Sequence, residues 1–392
     1  MAAVTDTTQA RTESEEEWAE EQRVTPLELF FDLVFVFAFT QVTALMSDNP
    51  TWEGIGQGLL VLTVVWWAWG AYSWLTNEID PDEDTARLAV FGVMGAMLIA
   101  ALAVPGAFGD NAVLFAAAYF VVRMLHIVVF AYASPEVSIT LAVRRLAVTA
   151  IPAPALLIVA GFFDGAAQAL VWCAALAIDI GGVYVFGVEG FKVWPGHFAE
   201  RYGLIVIIAL GESIVAIGVG AAGIPLDAGV VAAALAGIVI AAALWWGYFD
   251  VVAPVAERKL REAQGGARAR LARDSYSVLH LPMIAGIVLL ALGVKKALEH
   301  VEQPLDTVPA VALCGGVALY LLAHIAFRLR NVHSLNRQRL ATAAVCLAFI
   351  PIATRIDAVA AVAGIAALCT LLVAYETLRF REARARVRAA RA

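Results

Sequence analysis

Two carboxylates stand four residues apart in the apolar stretch RVTPLELFFDLVFVFAFTQV, Arg23 to Val42, so Glu28 and Asp32 share one helical face. Thr25 offers an N-cap and Pro26 the first helical position, and the run that follows is long enough to enter a bilayer. Glu28 lies at the entry, within reach of water. Asp32 lies nearly two turns deeper, where a charged side chain costs about 2.5 to 3.5 kcal/mol and needs a partner, a proton or a place on an ion path.

A second set of ionisable residues sits inside other apolar runs: Arg123, His126, Asp179, Glu212, His280 and His324. Counted at about 1.5 Å per residue, Arg123, Asp179 and Glu212 fall near one depth, which invites pairing of the cation with either acid. Asp32 and the three histidines form a second polar layer nearer the inner face. Tyr119, Arg123 and His126 make one helical stripe, and Tyr276 with His280 and Tyr320 with His324 repeat a spacing of four. The structural alternative is a fixed counter-ion role for Arg123 and carbonyl-bound histidines. A further constellation is HFAERYGLIVIIALGES, in which His197, Glu200 and Arg201 mark a helix entrance on the inner face. Further on, Gly211 precedes Glu212 and Ser213, and the glycine would let another backbone approach. His197 and Glu200 alone make half of a carboxylate metal motif, with no second pair, so no metal or other cofactor is expected.

The elements that position these residues follow from composition. The 392 residues are 61% hydrophobic and 16% charged, with mean hydropathy +0.80, which marks an integral membrane protein. Apolar spans are expected at 26–46, 54–76, 86–104, 111–134, 141–162, 166–186, 201–220, 229–250, 274–294, 308–327, 338–356 and 358–378, an all-α fold of twelve transmembrane helices. Of the 27 Lys and Arg, all but Lys295, Lys296, Arg355 and the intramembrane Arg123 fall in or beside segments on one side, so both termini are expected in the cytoplasm. Trp66, Trp67, Trp69, Trp74, Trp245 and Trp246 sit toward inner ends as an aromatic belt would, or as packing.

Residues 1–22 are acidic, lack the features of a signal peptide and read as a disordered cytoplasmic tail. Residues 23–187 and 188–378 read as two six-helix repeats in the same orientation. Asp32 recurs as Glu212, Trp66-Trp67 as Trp245-Trp246, the run 86–89 as 269–272, and Pro152 as Pro351. The loop 251–273 is an inner linker or surface helix, and the basic tail 379–392 could hold anionic lipid.

The stretches RVTPLELFFDLVFVFAFTQ and HFAERYGLIVIIALGES resemble the two signatures of the low-temperature-requirement A (LtrA) family of bacterial membrane proteins. That resemblance implies a multi-pass protein of the bacterial inner membrane and a link to growth in the cold. Phe31-Asp32 is also faintly similar to the Phe-Ser-Asp of lysosomal-type potassium and proton channels, without the serine. No GxSxG, HExxH or Walker element is present, and an enzyme is disfavoured. The expected function is a proton- or ion-coupled secondary transporter for an unknown small solute. The alternatives are a cation or proton channel, and a scaffold or sensor involved in cold adaptation. Nucleic acid is not an expected partner, and the oligomeric state stays open.

Overall fold

The computed structural model describes residues 23–79, 84–133, 137–188, 190–382 and 384–385. The expected acidic tail, 1–22, and most of the basic tail lie outside the described residues. The first helix, α1 (Pro26–Asp48), starts as its sequence dictates. Thr25 Oγ1 accepts from the Glu28 amide, Glu28 Oε2 accepts from the Thr25 amide at 2.9 Å, and Pro26 needs no amide partner there. Then follow α2 (Trp52–Leu75), α3 (Asp84–Ala103), α4 (Ala112–Ala133), the pair α5 (Val137–Ala150) and α6 (Pro152–Ala160), and α7 (Gly165–Val185). The remaining helices are α8 (Pro195–Gly220), α9 (Ala228–Phe249), α10 (Val252–Glu262), α11 (Gly265–Leu271), α12 (His280–Glu299), α13 (Thr307–Val332), α14 (Arg337–Ala353) and α15 (Ala358–Arg379).

Eleven helical runs among the described residues are long and apolar enough to cross a membrane, against twelve expected. The difference lies at α14. Its 17 residues rise about 26 Å, at the lower end of what crosses a bilayer, with Pro351 in its last turn. In the fifth span Pro152 starts α6 after a break at Ile151. The loop expected at 251–273 is largely helical, as α10 and α11.

Exposed apolar side chains such as Leu88, Leu170 and Leu371 cover the outside of the bundle, as lipid contact requires. Inside, α1 packs on α2 and α3, α3 on α4, α4 on α6, and α6 on α7; α8 packs on α9 and α12, α12 on α13, α13 on α14, and α14 on α15. Each neighbour pair in the first set has a counterpart in the second. The two sets meet where α1 lies along α8 and α12. Close backbone contact between helices is found not at Gly211, where an added Cβ would meet nothing, but between α12 and α13: a Cβ at Gly293 would sit 2.5 Å from the Leu313 backbone and one at Gly316 2.7 Å from that of Gly286. With no hydrophobic force between helices in lipid, such close backbone contact is what holds them together.

Between α11 and α12 the residues Ala272–Val278 form a π-helical turn, in which Leu279 donates to the Asp274 carbonyl. Pro282, four residues past Val278, has no amide to continue an ordinary ladder. The freed carbonyls find side chains instead: Ser275 O accepts from the His280 ring and Ser277 O from Trp66 Nε1 at 2.7 Å.

Candidate functional site

Helices α1 and α8 run parallel along a seam crossed by three polar rungs. At the first, His197 Nε2 lies 3.0 Å from Glu28 Oε2, the same oxygen that completes the α1 cap. At the second, Arg201 Nη1 donates to Asp32 Oδ2 and to the Glu28 carbonyl, each at 3.1 Å, while Trp69 Nε1 donates to Asp32 Oδ1 at 2.9 Å. Asp32 and Arg201 are wholly buried, and Glu28, expected near water, is only 2% exposed. Both cross-seam pairs join residues 169 apart, as Pro26 and Pro195 are, so the helix starts are in register.

The third rung differs. Glu212 Oε2 lies 2.5 Å from Thr40 Oγ1, which also lies 3.1 Å from the Val36 carbonyl. Glu212 is 1% exposed and has no ion-pair partner among the described residues, Lys295 being the cation whose charge reaches it. This corrects one sequence expectation. Because α8 begins at Pro195 rather than 201, Glu212 stands about two-thirds of the way along its helix and does not meet Arg123. Across the seam Asp32 faces Arg201, and Glu212 faces Thr40.

The cation and acid expected to pair in the first half do so: Arg123 Nη2 donates to Asp179 Oδ1 at 2.9 Å, with the two side chains 1% and 3% exposed. Trp67 and Tyr119 flank that carboxylate. The single cluster of Arg123, Asp179 and Glu212 is not formed. His126, one turn from Arg123, directs Nε2 to the Ala71 carbonyl at 3.0 Å. Ser213 turns back on its own helix, donating to Leu210 O, and Glu200 faces outward to accept from the Val24 amide, so neither joins the seam.

His280 and His324 sit in an aromatic layer of the second half. His280 stacks on Tyr276 and lies 2.8 Å from the Tyr248 hydroxyl, and His324 packs on Tyr320 and lies 2.6 Å from Arg339 Nη1. Arg339 in turn donates to Glu376 at 2.9 Å and to Gly247 O. Tyr202 ties this layer to the seam, through edge contacts with Trp69 and His280 and a 2.8 Å contact with Ser277 Oγ.

Sequence reasoning missed Thr40, Trp69 and the Arg339–Glu376 pair. The tryptophans of α2 were placed by depth alone; Trp66 and Trp69 are instead fully buried donors, and only Trp245 and Trp246 face outward as a belt would. The alternative of packing therefore holds for α2. Among the described residues no group of three or more His, Cys, Asp or Glu side chains is placed to hold a metal ion.

A family model described as bacterial low temperature requirement A protein (LtrA) matches residues 23–374, most of the chain. A protein of Rhizobium meliloti (strain 1021), described as uncharacterized, is 28% identical over 306 residues, covering 75% of this chain and 74% of that protein. No solved structure matches.

Proposed function

The chain belongs to the LtrA family of bacterial membrane proteins, and on that premise we propose that it is a proton-coupled secondary transporter in the inner membrane, with Glu212 as the coupling residue. The observation that carries this reading is the third rung. The other buried acids among the described residues have a basic partner, Glu28 with His197, Asp32 with Arg201 and Asp179 with Arg123, whereas Glu212 has only the hydroxyls of Thr40 and Thr43. Thr40 has one hydrogen to give and two acceptors in reach, the Val36 carbonyl and Glu212. Thr40 can keep its bond to Val36 when a protonated Glu212 donates to Thr40. Removal of that proton leaves a carboxylate in the seam that calls for a proton or a solute charge, which is a coupling device. A single carboxylate with two hydroxyls, those of Thr40 and Thr43, suits a proton better than a metal cation, which takes a shell of several oxygens.

The remainder of the reading is a rocking of two halves. The matching neighbour order, the parallel α1 and α8, and Pro152 and Pro351 at like places in their spans support two six-helix repeats in one orientation, related by an axis along the membrane normal. The Lys and Arg asymmetry supports cytoplasmic termini, which would put the rungs of Glu28 and Asp32 at the inner end of the seam. Purified protein in proteoliposomes tests the proposal. A flux of protons driven by an imposed pH gradient is expected in the wild type and is lost in Glu212→Gln, whose side chain keeps the shape and loses the exchangeable proton. Equal flux in both proteins removes Glu212 from the mechanism; no flux in a folded wild type favours a scaffold.

A further inference from the structure

A cavity of about 70 Å³ lies between α2, α4, the ends of α5 and α7, and the π-helical turn of the second half. Trp66, Trp67, Trp74, Phe130 and Phe191 give it aromatic walls, and Arg123 and His126 reach it from α4. Both of these side chains are 1% exposed, and each has one buried nitrogen with no partner among the described residues, Arg123 Nε and His126 Nδ1. Their roles are opposite. Arg123 Nε carries a hydrogen. His126 Nε2 faces a carbonyl, so the neutral ring carries its hydrogen there and Nδ1 is left as an acceptor.

We propose that this cavity is the solute site of the transporter and that it takes a short-chain monocarboxylic acid in its protonated form. The acid's carbonyl oxygen accepts from Arg123 Nε, its hydroxyl donates to His126 Nδ1, and its hydrocarbon end lies against the tryptophans. Residues three apart on a helix have Cβ atoms about 5 to 6 Å apart, a gap that two oxygens bridge better than one. Size sets the rest. A buried cavity of about 150 Å³ takes benzene, so one about half as large fits a body of two to four carbons. The two cations that line the cavity, Arg123 and Arg273, are already paired with Asp179 and Asp274, which favours an uncharged acid over its anion. Entry of the acid with its proton also suits a pathway whose coupling group handles protons.

The proposal rests on the transport reading for its biological meaning, yet binding is measured without flux. Tryptophan fluorescence of the full chain in detergent is titrated with propionic acid at mildly acidic and mildly alkaline pH, and with 1-propanol. Saturable quenching by propionic acid, stronger at acidic pH and stronger than by propanol, is expected. Gly70 lines the cavity, and a Cβ there meets only the Tyr202 hydroxyl at 3.8 Å. Gly70→Ala therefore adds a methyl to the cavity wall without a clash and weakens binding at unchanged melting temperature; Gly70→Val, where it folds, fills more of the site and weakens binding by about tenfold or more. Absence of saturable binding, equal binding of propanol, or unchanged binding in the folded variant overturns the proposal and assigns the two nitrogens to water. Binding without Glu212-dependent flux overturns the transport reading alone; flux without binding overturns the solute site alone.

Discussion

Arg201→Met unfolds or severely destabilises the protein. The guanidinium serves two buried carboxylates at once, through Nη1 to Asp32 at 3.1 Å and Nε to Glu28 at 3.6 Å, and it also binds the Glu28 carbonyl. Removal of one partner of a buried pair costs about 3 to 5 kcal/mol because the remaining charge is left uncompensated. Here two charges are left, and the loss stands at or above the upper end of that range. Arg201→Lys rescues little, since a point charge cannot reach both acids and the carbonyl in one geometry. The measurement is the midpoint of thermal unfolding in detergent, with Arg201→Met/Asp32→Asn as partner variant. The double variant recovers part of the loss. A single variant that melts with the wild type shows that the seam is not held by this rung.

Asp179→Asn comes second, with a loss of about 3 to 5 kcal/mol, because the Arg123 guanidinium remains charged among Trp67, Tyr119 and apolar helix faces. Arg123→Met/Asp179→Leu removes both charges and regains most of the stability, since well-packed apolar pairs often match or exceed a buried ion pair. That rescue separates a structural pair from a catalyst of transport: a stable double variant that still carries flux places the pair outside the solute path and contradicts the site inferred above. A double variant as unstable as the single one shows that its packing, rather than its charge, holds α4 to α7.

Much of this arrangement was legible in the chain. Thr25, Pro26 and Glu28 spell a helix start with a reciprocal cap, and the pairing of Arg123 with Asp179 is one of the two that the buried charges offered. The two halves of the seam were both visible as Glu28 with Asp32 and His197 with Arg201, but as separate groups. Spacing within a helix says which residues share a face and nothing about which helix that face meets. The same limit hid Thr40, whose hydroxyl is unremarkable until an acid is found opposite, and left the tryptophans of α2 open between a belt and packing, which the structure decides for packing at Trp66 and Trp69. Helix ends were the other weak point. The start at Pro195 moved Glu212 away from Arg123, and the end at Ala353 left α14 with 17 residues, at the lower end of a span.

The account turns on whether Glu212 gives and takes a proton inside the seam. Infrared difference spectra between alkaline and acidic pH, wild type beside Glu212→Gln, read that group directly through the carbonyl stretch of a protonated carboxyl. A pH-dependent carboxyl band present in the wild type and missing in the variant is the predicted result. A spectrum with no band that depends on Glu212 across the stable pH range contradicts it, and makes the third rung a fixed contact like the other two.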